Sequence, residues 1–134
     1  MNALLWVLQI VLAAAFAAHG WLLLSPPADL IEAMNAMMST AFRVFLGVAE
    51  VLAALGLVLP GITRIMPGLI PLAAVGLLPI MVGATVLHVQ RAEHSSAVIT
   101  AILFGLLAFV AYQRWSVRPI LPRGAIKGGM PSVP

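Results

Sequence analysis

Apolar residues run in four long blocks separated by short polar breaks, a pattern that predicts four membrane-spanning helices. The first block, Ala3–Leu24, has only Gln9 and His19 as strongly polar residues. The second runs from Ala41 to Leu59 and ends at Pro60-Gly61, with Arg43 near its start and Glu50 near its middle. The third, Ile65–Val89, carries Pro67, Pro71 and Pro79. Pro71 and Pro79 are expected to bend it, because each removes a backbone donor. The fourth, Ser96–Tyr112, is followed by Gln113-Arg114-Trp115, which reads as an interfacial anchor. Crossing about 30 Å of hydrocarbon takes about 20 apolar residues, and each block is close to that length.

A shorter element lies between the first two blocks. Ser25-Pro26-Pro27 stops the first helix. In Ala28–Thr40, Leu30, Met34, Met37 and Met38 recur at helical spacing opposite Asp29, Glu32 and Asn35. The segment is too short to span a bilayer. It is expected as an amphipathic helix in the interface, or as a loop helix packed on the bundle. The fold class is therefore all-α: an integral membrane four-helix bundle over residues 1–115, with a short interfacial amphipathic helix between spans one and two. Residues 116–134 form a basic Pro/Gly-rich tail with Arg118, Arg123 and Lys127. The first block has no Lys/Arg n-region and is longer than a signal-peptide core, so it reads as a membrane helix and not a cleavable leader.

Composition agrees with a lipid solvent. Of 134 residues, 63% are hydrophobic and 8% charged, too few charges to solvate a globule of this size. A net charge of +3, without an aromatic-interleaved basic face, makes a poor phosphate footprint and excludes nucleic acid as a partner. There is no cysteine, so disulfides, thiolate catalysis and Cys-ligated metals are excluded. Basic residues also set orientation. Arg64, Arg114, Arg118, Arg123 and Lys127 fall on one side of a four-span chain and Arg43 and Arg91 on the other. That places both termini in the cytoplasm, in the cytoplasmic membrane of a bacterium.

The informative polar groups are those inside the apolar blocks. Glu50 is the only formal charge between Val44 and Thr63. A carboxylate there costs at least a few kcal/mol, so it must face the bundle interior, protonated or paired. At about 1.5 Å per residue, Arg43 and His88 lie roughly 3 Å below the outer boundary, His19 about 7 Å and Glu50 about 13 Å. Thr85, one turn inward of His88, shares its face. Two readings follow for Glu50, Arg43, His19, His88 and Thr85: a polar network that holds the bundle in register, or an outward-opening pocket for a small ligand, a quinone head group or a proton. Two histidines at similar depth do not make a haem or metal motif, and hydrogen-bonded imidazoles are the expectation. Gln9 lies toward the inner side and is expected to make an interhelical hydrogen bond. The small-residue pairs Ala14/Ala18, Ala49/Ala53 and Gly76/Gly83 read as bundle packing and would also permit a homodimer.

Span two reads Arg43 to Arg64 with Gly47-x-x-Glu50 six residues before Gly56. It follows Ala17-Ala18-His19-Gly20 at the end of span one and precedes Met81 to His88 at the end of span three. This arrangement resembles the DoxX/DoxX-like family over about Leu4–Tyr112. The resemblance implies a four-helix membrane bundle. It also implies function: the name-giving members look like subunits of a thiosulfate:quinone oxidoreductase, others are partners in membrane redox complexes, and distant relatives are assembly chaperones for membrane receptors. The leading expectation is a small subunit or protein partner of a quinone-linked redox complex, with quinone or a small apolar ligand in the pocket. The alternatives are a non-enzymatic assembly protein and a proton-coupled transporter. Four-helix multidrug exporters carry their buried Glu in span one, where this chain has none.

Overall fold

The computed structural model describes residues 2–124. Its helices are α1 (Asn2–Leu24), α2 (Ala28–Met37), α3 (Thr40–Thr63), α4 (Leu69–Gln90) and α5 (His94–Tyr112). Four of these, with α5 extended to Val117, are long and apolar enough to cross a membrane. A 23-residue α1 measures about 34 Å, the thickness of a hydrocarbon core. The spans pack in a closed order in which α1 lies on α3, α3 on α4, α4 on α5, and α5 returns to α1. The core is a dry seam of Leu12, Phe16, Leu57, Leu77, Leu107 and Val110, all at most 3% exposed. Large apolar side chains such as Val11, Leu52, Leu72 and Ile102 point outward and are exposed. That outer surface suits lipid, where the backbone must satisfy its own hydrogen bonds. The protein is an integral membrane four-helix bundle.

Both expected ends of the bundle have their own chemistry. At one end, called here the α2 end, α1 gives way to α2 and α4 turns into α5. None of the residues of α2 is buried, so it is a surface helix with Leu30, Ile31 and Met37 exposed on its apolar side. Ser39 starts α3 by accepting from the Phe42 N–H at 3.2 Å. At the other end, the arginine end, Arg64 closes α3 in the left-handed conformation with φ of 55°. There α5 widens into one π turn, Gln113–Val117, where the Arg118 N–H bonds the Gln113 carbonyl at 2.6 Å. The tail folds back, and the Arg123 N–H donates to the Arg64 carbonyl at 3.1 Å. The tail expected over 116–134 is described as far as Gly124; its remainder, with Lys127, lies outside the described residues.

Several element boundaries differ from the pattern-based ones. Pro60 does not end α3, which continues to Thr63 with Pro60 buried inside it. Its ring removes one hydrogen bond, to the Gly56 carbonyl, and neighbouring turns carry the helix through. Span three begins at Leu69, not Ile65, so Pro67 precedes the helix and Pro71 falls in its first turn, where no N–H is needed. Pro79 alone sits within it. The small-residue pairs Ala14/Ala18 and Gly76/Gly83 are exposed, not packed between helices. The closest crossing uses Gly20 and Gly47 instead. A Cβ on Gly20 would meet the Gly47 carbonyl oxygen at 2.8 Å, and one on Gly47 would meet the Gly20 oxygen at 2.9 Å.

Candidate functional site

The crossing of α1 and α3 at Gly20 and Gly47 brings two backbones close enough for the side chains beside them to bond. His19 precedes Gly20, and Glu50 lies one turn from Gly47 on the same face of α3. His19 Nδ1 sits 2.6 Å from Glu50 Oε2. The exposures of the two side chains are opposite: Glu50 is 1% exposed and His19 55%. The carboxylate is thus sealed within the bundle, while the imidazole seals it on one edge and presents Nε2 outward. Among the described residues Nε2 has no hydrogen-bond partner. Because Nδ1 is committed to the carboxylate, Nε2 is the nitrogen left for a ligand or a proton.

Arg43 lies two turns from Glu50 on the same face and is 5% exposed. It does not reach the carboxylate. Its Nη1 donates to the Leu23 carbonyl in the last turn of α1. Final-turn carbonyls lack intrahelical partners and carry the negative end of the helix dipole, so a buried guanidinium caps α1 there.

His88 and Thr85 fall in a separate group between α4 and α5. His88 Nδ1 is 2.6 Å from Glu93 Oε2, and Arg91 Nε is 3.4 Å from Glu93 Oε1. This trio closes the α4–α5 turn, in which Ala92 adopts φ of 57°. Thr85 Oγ1 lies 2.7 Å from the Met81 carbonyl oxygen and 2.8 Å from Thr100 Oγ1. Of the five residues expected to share one pocket, the structure therefore pairs His19 with Glu50, sets Arg43 on the end of α1, and gives His88 and Thr85 partners on α5 and its preceding turn. No group of three or more His, Asp or Glu residues is placed to hold a metal among the described residues.

The arginine end is more ordered than its sequence suggests. Arg114 was expected as an interfacial anchor, but it is 4% exposed and points into the bundle. Its Nε donates to Gln9 Oε1 at 2.6 Å, and its Nη1 donates to Asn2 Oδ1 at 2.9 Å and to the Arg118 carbonyl at 3.3 Å. The guanidinium carbon lies 5.6 Å from the centre of the Trp6 ring, a cation–π contact. Gln9 meets the interhelical expectation, since its Nε2 donates to the Leu57 carbonyl of α3 at 2.6 Å. No spacing in the sequence singles out Arg114: in the structure it continues the buried stripe of Leu107, Val110 and Ala111, but Val98, Ile99 and Ile102 make the outer face of α5 equally apolar.

Comparison with known proteins agrees with this architecture. No curated protein and no solved structure matches the chain. The family model of the DoxX-like family matches residues 7–111, which reach from the second turn of α1 to the end of α5 and include both Gly20/Gly47 and His19/Glu50. With its four spans covered by that match, the chain belongs to the DoxX-like family.

Proposed function

We propose that this protein is a small membrane subunit that holds a quinone head group at the His19–Glu50 pair, as the partner of a quinone-linked redox complex in a bacterial cytoplasmic membrane. The observation that supports it is the asymmetry of the pair: a carboxylate 1% exposed behind an imidazole 55% exposed, 2.6 Å apart. A quinone partitions into the lipid around the bundle, where a carbonyl oxygen can meet His19 Nε2. Once the imidazole has taken a proton, Nε2–H donates to that oxygen while Nδ1–H donates to Glu50, whose carboxylate balances the charge. The chain supplies binding and a proton carrier in this reading, and the electrons come from a partner subunit.

Tryptophan fluorescence tests it, because Trp21 is 67% exposed two residues from His19 and quinones quench indoles. A short-chain benzoquinone titrated into protein in nanodiscs should quench saturably with wild type. His19→Ala and Glu50→Gln should weaken half-saturation at least about tenfold, equivalent to about 1.4 kcal/mol. Equal curves for all three proteins would sink the quinone reading. The second reading, a non-enzymatic assembly protein, is favoured by the tight Gly20/Gly47 crossing, where the pair clasps two helices. It expects unchanged quenching and a loss of stability or of partner association.

A further inference from the structure

Among the described residues the arginine end carries positive charge and no acidic side chain. All four carboxylates of the sequence, Asp29, Glu32, Glu50 and Glu93, lie in α2, in the first half of α3 or in the α4–α5 turn. Arg64, Arg114, Arg118 and Arg123 all lie at the opposite end. Arg114 is the one among these that is buried, and its partners Gln9, Asn2 and the Arg118 carbonyl are all neutral. Its Nη2 is buried with no hydrogen-bond partner among the described residues. A buried cation normally has a counter-charge, because its desolvation is otherwise uncompensated. The described residues offer none there, which leaves the site open to an anion from outside the bundle.

The surroundings of Arg114 show where. Arg114 and Trp115 form one wall of a groove of about 220 Å³, with Pro119 and Ile120, and the start of α4 at Pro67, Gly68 and Pro71 forms the other. The groove shares Pro67, Gly68 and Ile120 with a wider depression of about 560 Å³ that continues over Met66, Leu69 and Leu72. The polar wall is therefore short and cationic, and the continuation is apolar. A free phosphate needs only the first; an amphiphile uses both.

We propose that this groove binds the phosphate of an anionic membrane phospholipid against Arg114, with an acyl chain along Met66, Leu69 and Leu72. The lipid is a structural ligand that supplies the missing counter-charge and ties the π turn after α5 to the start of α4. It stands apart from the His19–Glu50 pair and does not depend on a quinone being bound there.

Thermal unfolding of the full chain in a neutral detergent, followed by tryptophan fluorescence, tests this. The probes are phosphatidylglycerol, phosphatidylcholine and inorganic phosphate. Phosphatidylglycerol at ten times its half-saturating concentration should raise the unfolding midpoint by about 4 °C. Phosphatidylcholine and inorganic phosphate should not. Arg114→Gln should abolish the shift. Since Arg114 also holds Gln9 and Asn2, Gly68→Leu serves as the variant that spares those bonds. A Cβ on Gly68 meets no atom within 4 Å and its φ is −61°, so a leucine fits the backbone and occupies the groove. It should also remove the lipid response. An equal response in wild type and Gly68→Leu, or an equal response to phosphatidylcholine or inorganic phosphate, overturns the proposal.

Discussion

Gln9, Glu50 and Arg114 are buried because of their register, which places each on the inward stripe of its helix. Gln9 shares its stripe with Leu5, Leu12 and Phe16, and Glu50 shares its own with Gly47, Ala54 and Leu57. Once inside, a polar group must find a partner, and the partners decide what each residue does. Arg43 caps α1, His19 shields Glu50, and Gln9 accepts from Arg114 while donating to Leu57. The need of a buried carboxylate for company was legible in the sequence, and His19 supplies it. The choice among candidate partners was not. Depth alone put Arg43 and His88 near the same level, but which helices touch, and through which faces, decides which side chains meet. Glu93, five residues beyond His88 across a tight turn, outcompeted Glu50 simply by being local. Gln9 gives a test at this scale. Gln9→Leu fits a core stripe by shape but takes the acceptor from Arg114 Nε. Leaving a charged donor unmet should cost about 2–3 kcal/mol in reversible denaturation, despite the gain in apolarity. A neutral or stabilising result would mean that Arg114 has another acceptor in solution.

At the scale of helices, the four spans were legible and their inner faces were not, for one physical reason. In a soluble protein the polar side of a helix marks the outside. In lipid both sides are apolar, so periodicity carries no such mark, and small residues on either side look alike. Gly76, Gly83 and Gly105 have open space where a Cβ would go, whereas Gly20 and Gly47 lie against each other's backbone. The same blindness explains Pro60-Gly61, which reads as a helix end but is core: Gly61 accommodates the Trp6 ring, with its would-be Cβ 2.6 Å from Cη2. Gln9 and Glu50 marked the inner faces of α1 and α3, whereas Gly76/Gly83 misplaced the contact and His19, also polar, is 55% exposed. The α1–α3 crossing should therefore respond to a methyl group where the α4 and α5 surfaces do not. Gly20→Ala must push against backbone, so it should destabilise by about 1–3 kcal/mol and weaken the His19–Glu50 contact. Gly83→Ala should be neutral or stabilising by up to about 1 kcal/mol, through helix propensity alone. Unfolding of both variants in the same detergent separates the two, and equal losses would contradict the close crossing.

Across the whole molecule the two ends differ in sign and in kind, and this polarity ties orientation to function. Among the described residues the acidic side chains and the imidazoles lie at the α2 end, with Glu50 near mid-helix, while the charged side chains of the arginine end are all cations. The count of five basic residues against two includes Arg114 and Arg43, which are both buried and spent on internal bonds. Setting those aside leaves Arg64, Arg118, Arg123 and Lys127 against Arg91, so the bias survives and is stronger in proportion. We propose on this ground that the arginine end faces the cytoplasm, the side on which positive charge is retained. That orientation would set the groove beside Arg114 in a leaflet whose anionic lipids are drawn to these same residues. It would set the His19–Glu50 pair toward the opposite leaflet. The chain has no cysteine, so single cysteines report on this without a background to remove. Ala33 in α2 and Gly124 in the tail are both exposed. A membrane-impermeant maleimide should label Ala33→Cys in intact cells, and should label Gly124→Cys only after the membrane is opened. The reverse pattern would turn the molecule over and put the imidazole pair on the cytoplasmic side, where any proton it exchanges would come from the cell interior.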